Sequence, residues 1–166
     1  MPGLRGTEEA VYGSGVNQMK TVLFLCSGNY YRSRFAEHLF NAIADRDRLA
    51  WRADSRGLVV GQAGNVGPIS RYAVRGLEQR GIHLNGNIRF PVQVTEQELS
   101  RANLIIALKE AEHRRMLAEQ FPAWVERVEY WHVHDLDCAE PEDALAELER
   151  EVVALSLRLP ATSPSF

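Results

Sequence analysis

The sequence predicts an α/β fold, a three-layer sandwich in which a parallel sheet of four strands carries helices on both faces. Three observations predict it. Short continuous apolar runs alternate with longer segments of helical period. The runs are rich in strand formers and too short for buried helices. No two of them are joined by the two-residue turn of a hairpin, so helical crossovers must connect them.

The elements follow in order. Residues 1–19 are glycine-rich and lack a sustained apolar period, so they read as a flexible extension ahead of a domain spanning 20–160, with 161–166 as a tail. Thr21-Val22-Leu23-Phe24-Leu25 is the first buried strand, and it stops at Cys26. Phe35, Leu39, Phe40 and Ile43 then recur at helical spacing, with Glu37 in the early turns, where a carboxylate suits the positive end of a helix. Trp51 to Val60 holds a second strand, and a helix is expected from about Ile69 to Arg80, stopped by Gly81. Residues 82–98 read as loop. Asn103 to Leu108 is the third strand, and the charged helix after it runs from Glu110 to about Gln120 and ends before Pro122. Val125 to Val133 supplies the fourth strand. A closing helix from Glu142 to Leu159 carries Leu145, Leu148, Val152 and Leu155 on one side.

Composition narrows the function. With 45% hydrophobic and 25% charged residues, the 166-residue chain is an ordinary globular protein and not a disordered one. A net charge of −3 gives no support to broad binding of nucleic acid or of an anionic membrane surface. No stretch approaches the ~20 apolar residues that span a bilayer, and Glu8 and Glu9 stand where a secretion signal needs an apolar run. A cytoplasmic location is expected. Cys26 and Cys138 are too sparse for a disulfide scaffold or a zinc site, which leaves a working thiol.

Chemistry concentrates after the first strand, in Cys26-Ser27-Gly28-Asn29-Tyr30-Tyr31-Arg32. Ligands of open parallel sheets bind beyond the carboxyl ends of strands. A loop entering a helix there points backbone N–H groups at one spot and adds the helix's partial positive charge, which suits a tetrahedral anion. Gly28 allows close approach and unusual dihedrals, and Arg32 offers a fixed fork of donors for two phosphate oxygens. Cys26, at the centre of this field, is the candidate nucleophile, since a positive surrounding favours the reactive thiolate. Asn29 and Ser33 are expected to hydrogen-bond the loop or the sulfur.

Together with this loop, Val22 to Asn29, Arg32-Ser33, Ala53-Asp54-Ser55-Arg56-Gly57, Gly81-Ile82, Arg89 and Ala102 to Ile106 make the chain resemble the low-molecular-weight protein tyrosine phosphatases. That family includes related arsenate reductases and arginine phosphatases. The resemblance covers roughly residues 20–158. It implies a four-stranded parallel sheet and a two-step hydrolysis through a cysteinyl phosphate, with inorganic phosphate as product and no cofactor or metal. Phosphotyrosine proteins or small phosphomonoesters are the implied substrates. Similar enzymes carry the general acid late in the chain, usually as Asp-Pro. Here the matching stretch from Tyr130 to Cys138 has no Asp-Pro, so Asp135 is the expected acid and Asp137 the runner-up. These carboxylates also fit loop or helix-capping roles. His132 and His134 beside them lack the third ligand of a metal site.

Further departures bear on substrate. Tyr31 stands where many relatives carry a second, protective cysteine. Tyr30 stands where tyrosine phosphatases often have isoleucine and arginine phosphatases threonine, and its ring either stacks on a flat substrate or narrows the entrance. Tyr130 and Trp131 either extend that wall or lie buried in a strand. Arg34 replaces a common proline and is expected to add positive charge near the mouth. The competing readings are a phosphate-binding regulatory module, an arginine phosphatase, and an arsenate reductase that borrows an external thiol.

Overall fold

The structure, a computed structural model, describes residues 18–134 and 140–160. Its sheet has four parallel strands in the order β2-β1-β3-β4, as the alternating pattern requires. β1 (Lys20–Cys26) is central, flanked by β2 (Trp51–Gly57) and β3 (Leu104–Ala107), with the short β4 (Glu129–Tyr130) at one edge. Side chains of β1 alternate between two cores. Val22 and Phe24 enter one apolar cluster, while Leu23 and Leu25 enter the other.

The first cluster is closed by α1 (Arg32–Asp47), α2 (Arg71–Gln79) and α5 (Pro141–Arg158). Phe35, Leu39, Phe40 and Ile43 of α1 meet Leu145, Leu148, Val152 and Leu155 of α5 there, the residues whose spacing marked both helices. α2 lies so close to α5 that a Cβ on Gly76 would come within 2.4 Å of Leu145 Cδ1. The opposite cluster gathers Leu99 of α3 (Glu96–Arg101) and Leu117 of α4 (Glu110–Gln120).

Four expectations are corrected. α3 lies where a loop was expected. Thr95 and Glu98 form a capping box, each side chain satisfying the other's backbone N–H, and this reciprocal cap sustains a helix too short to show a period. α2 starts at Arg71 and not Ile69, because the Ser70 side chain accepts from Tyr72 N–H and caps the helix there. β2 ends at Gly57, and Val60–Gln62 turns instead as a 3-10 segment. The fourth strand shrinks to Glu129–Tyr130, since Pro122 opens a 3-10 turn over Pro122–Arg127 that consumes Val125. Beyond β4 the chain still follows β3, with Trp131 N–H on the Ala107 carbonyl and Val133 N–H on that of Leu108.

Parallel pairing brings three strand ends together. Cys26 is level with Gly57, and Leu25 with Ala107, so the β1 loop, the β2 exit and the start of α4 share one edge of the sheet. No described helix is long and apolar enough to cross a membrane.

Candidate active site

The loop after β1 is held from the β2 side by backbone bonds. Leu58 N–H donates to the Cys26 carbonyl and Val59 N–H to that of Ser27, each at 2.9 Å. The approach is close enough that a Cβ on Gly57 would lie 2.9 Å from the Ser27 carbonyl oxygen. A Cβ on Gly28 would lie 2.7 Å from Asn65 Nδ2 and 3.0 Å from Ala63 Cβ, so these side chains would have to give way to any residue larger than Gly28. The unusual dihedral falls on its neighbour instead: Asn29 takes φ 52°, a left-handed value that asparagine tolerates.

Around the sulfur the geometry is tight. Asn29 N–H donates to Cys26 Sγ at 3.2 Å, and Ser33 Oγ lies 2.9 Å from it. The Asn29 side chain, fully buried, uses its whole hydrogen-bonding capacity. Its Nδ2 donates to Ser33 Oγ and Ser55 Oγ, both at 2.9 Å, while Oδ1 accepts from Arg89 Nη1 at 2.9 Å and Val92 N–H at 3.0 Å. Ser55 Oγ donates to Glu37 Oε1 at 2.6 Å, and Arg89 Nη2 donates to the same oxygen at 3.0 Å. Glu37 thus serves this network and not the helix dipole.

On the α4 side, Ser27 Oγ donates to Glu112 Oε1 and lies 3.2 Å from His113 Nε2. His113 Nδ1 accepts from Lys109 N–H at 3.0 Å, so the neutral ring carries its proton on Nε2 and donates to Ser27. Burial, aided by the positive Arg32, pushes His113 down to about 3 and keeps it neutral. An imidazole already protonated at Nε2 cannot accept the Ser27 proton, so this trio is not a hydrolase triad. Arg32 Nη2 lies 3.4 Å from Glu112 Oε1, and Nη1 donates to the Val133 carbonyl at 3.5 Å. Partial burial opposes the charge on Glu112, but the Ser27 hydroxyl and Arg32 outweigh it and hold its carboxyl below the usual range.

A cavity of about 500 Å³ opens above the loop. Cys26, Ser27, Gly28, Tyr30, Tyr31 and Arg32 line it, joined by Asn65, Arg71 and Tyr72. Tyr30 is tied by its hydroxyl to the Val66 carbonyl at 2.6 Å, and Tyr31 by its own to that of Pro141 at 3.3 Å. Asn29 and Ser33, fully buried, support the floor without lining the cavity.

Of the two alternatives for Trp131 the buried one holds, so it lines no substrate wall, and Arg34 stands elsewhere than expected. Trp131 is a core residue whose ring centroid lies 5.8 Å from that of Phe24 and whose Nε1 donates to Glu129 Oε2 at 2.8 Å. Arg34 is no mouth charge. It is 1% exposed behind the loop, donating to the carbonyls of Pro68 at 2.8 Å and Arg89 at 2.9 Å. Burial, with the nearby Arg89 charge, pushes it down to about 10. Asp135, Asp137 and Cys138 lie outside the described residues. Sequence reasoning missed Glu112 and His113; their position at the start of the helix after β3, beside the end of β1, was the available signal.

Known proteins resemble this chain in sequence and in fold. The family model described as low molecular weight phosphotyrosine protein phosphatase matches residues 21–159. The protein-arginine-phosphatase of Bacillus subtilis is 33% identical over a stretch spanning 64% of this chain and 67% of that protein. The low molecular weight phosphotyrosine protein phosphatase of Mus musculus is 29% identical over 57% of this chain and 58% of its own length. Among solved structures, a low molecular weight protein tyrosine phosphatase from T. tengcongensis has a TM-score of 0.70 at 27% identity, covering 84% of this chain and 99% of that one.

Proposed function

This chain belongs to the low molecular weight phosphotyrosine protein phosphatase family, a family of cysteine-dependent phosphatases, and on that premise we propose that it hydrolyses phosphotyrosine in proteins through a cysteinyl phosphate. The observation that carries the reading is Cys26 Sγ, which receives Asn29 N–H and faces Ser33 Oγ on the floor of a cavity that Arg32 also lines. The thiolate is the attacking form, and Asn29 N–H and Ser33 Oγ are placed beside it.

In the first step Cys26 Sγ attacks phosphorus, the S–P bond forms and the bond to the tyrosyl oxygen breaks. Arg32 and the loop N–H groups take the phosphoryl oxygens, where charge is spread in the transition state. The leaving oxygen needs a proton, and the resemblance to the family favours Asp135 as its donor, with Asp137 as the alternative. In the second step water attacks phosphorus, its proton returns to the same carboxylate, the S–P bond breaks and inorganic phosphate leaves. Ser33 and Asn29 then receive the sulfur as leaving group through the hydrogen bonds that held it at the start. No cofactor takes part in this scheme, and a free thiolate nucleophile fits a reducing, cytoplasmic setting.

A second reading has its own support, in the protein-arginine-phosphatase of Bacillus subtilis. Against it stands Tyr30, a bulky ring on the cavity wall where that reading expects a small threonine. Hydrolysis of para-nitrophenyl phosphate by wild type, Cys26→Ser and Asp135→Ala tests the scheme. Turnover lost in Cys26→Ser and reduced in Asp135→Ala is expected, with the Asp135→Ala deficit growing on phosphotyrosine peptide, a poorer leaving group. A wild type that binds phosphate and turns over neither substrate would leave a binding module. Turnover of phosphoarginine peptide in preference to phosphotyrosine peptide would favour the second reading.

A further inference from the structure

The guanidinium that lines the cavity beside Cys26 does not meet the empty site as an uncompensated charge. Arg32 Nη2 lies 3.4 Å from Glu112 Oε1, a separation long for a charge-assisted hydrogen bond, so the two attract without closing a fork-to-fork pair. The same Oε1 accepts the Ser27 hydroxyl, whose oxygen faces His113 Nε2 at 3.2 Å. Lys109 N–H occupies His113 Nδ1 and so sets the direction of the whole chain, from Lys109 through His113 and Ser27 to Glu112. A chain of donors that ends on Glu112 needs an acceptor there, and the Arg32 guanidinium 3.4 Å from the same oxygen favours that acceptor as the ionised carboxylate. Glu112 is therefore a negative charge built against the very loop that is read as a cradle for anions.

We propose that Glu112 is a positioning residue that acts as an internal anion. It holds Arg32 while the loop is empty, and an arriving phosphoryl group has to draw Arg32 away from it. This inference rests on reading the loop as a phosphate cradle. Two consequences follow from the charges. A phosphate dianion in the loop meets Arg32 already partly neutralised, and it is repelled by a carboxylate that the Ser27 hydroxyl keeps in place. Ser27 itself gives its proton to Glu112 and so withholds it from phosphate. Both effects weaken binding of the product and hasten its release, which matters because substrate and product place the same group in the same cradle.

Glu112→Gln separates charge from shape, since the amide oxygen still accepts from Ser27 and from Arg32. Inorganic phosphate is titrated into wild type and variant by calorimetry, and kcat and KM are measured with para-nitrophenyl phosphate. The expected result is phosphate binding tighter by about fivefold or more in Glu112→Gln, on the scale of one nearby unit charge in partly screened surroundings. KM is expected to fall in step and kcat to stay level or drop. A residue that merely braced the fold would give weaker binding and a lower melting temperature, never tighter binding. Glu112→Met, of similar length and without charge, repeats the titration in case the amide disturbs packing, and the same direction is expected. Unchanged or weaker phosphate binding in both variants would overturn the inference, as would absence of phosphate binding in the wild type. Calorimetry needs no turnover, so a wild type that binds phosphate but hydrolyses nothing would sink the phosphatase reading while leaving this comparison intact.

Discussion

Asn29 and Ser33 meet beside the sulfur of Cys26, with Asn29 Nδ2 donating to Ser33 Oγ at 2.9 Å and Ser33 Oγ lying 2.9 Å from Sγ. The amide fills one of the two acceptor sites on the Ser33 oxygen, which leaves the hydroxyl proton available to a Cys26 thiolate. The Asn29 side chain thus holds in place a group that touches the nucleophile without touching the nucleophile itself.

Removing that amide is expected to slow turnover of para-nitrophenyl phosphate by roughly 10- to 100-fold, the scale usual for partners one step removed from a reactive group. Asn29→Gly and Asn29→Ala both remove it. They differ in backbone, since glycine accepts the φ of 52° and alanine is strained there by about 1 kcal/mol or more. Similar losses of kcat but a lower denaturation midpoint for Asn29→Ala would separate the network from the strain. A wild-type kcat in Asn29→Gly would show that Ser33 orients itself.

Arg34 bears on stability. Its head group supplies donors to the Pro68 and Arg89 carbonyls from inside the protein. Arg34→Met leaves those carbonyls unpaired and is expected to lower unfolding free energy by about 2–4 kcal/mol in urea denaturation. A charge at the mouth would behave differently, altering the ratio of kcat/KM for acidic over neutral phosphotyrosine peptides. That ratio is expected to hold in Arg34→Met, and a fall would return Arg34 to substrate recognition.

His113 links stability to pH. Its folded-state value near 3 lies below the ordinary 6.5, so the unfolded chain takes up a proton that the folded protein refuses. Stability is therefore fully present above pH 6.5 and declines as pH falls toward 3, by at most about 1.4 kcal/mol per pH unit for one proton. Glu112, with its carboxyl held low, acts in the same direction at the acid end. His113→Gln should flatten the slope of unfolding free energy between pH 6.5 and 4. An unaltered slope would mean that other groups cause it.

How far the sequence led depends on whether a feature is local. β1, α1 and α5 were legible because apolar spacing over a strand or several turns is written in consecutive residues, and α4 as a charged segment ended by Pro122. α3 and β4 are too short to carry a period, and the Thr95-to-Glu98 cap was the one local sign of α3. The same division runs through the site. Cys26 to Ser33 is contiguous and was read as a unit. Glu37, Ser55, Arg89, Glu112 and His113 come from β2, two helices and a loop, and only the parallel register of β2, β1 and β3 brings them to one edge. Arg34 was misjudged because its neighbours in sequence say nothing of the carbonyls that surround it in space.

Tyr30 offers the sharpest test of substrate. Tyr30 lines the cavity and its hydroxyl, bonded to the Val66 carbonyl, ties that wall to the segment that carries Asn65, another lining residue. Tyr30→Phe removes the tie and keeps the ring; Tyr30→Thr removes both and installs the residue common in arginine phosphatases. If the ring stacks on a phenyl group, the phenylalanine variant should retain most of kcat/KM for phosphotyrosine peptide, and the threonine variant should lose about 1 kcal/mol of transition-state binding, near fivefold. Para-nitrophenyl phosphate, another flat ring, should follow the peptide, whereas phosphoarginine peptide should be hydrolysed better by Tyr30→Thr than by wild type. A threonine variant that gains on both substrates would mean that Tyr30 only narrows the entrance, and the preference for phosphotyrosine would then have to come from Tyr31 and Tyr72.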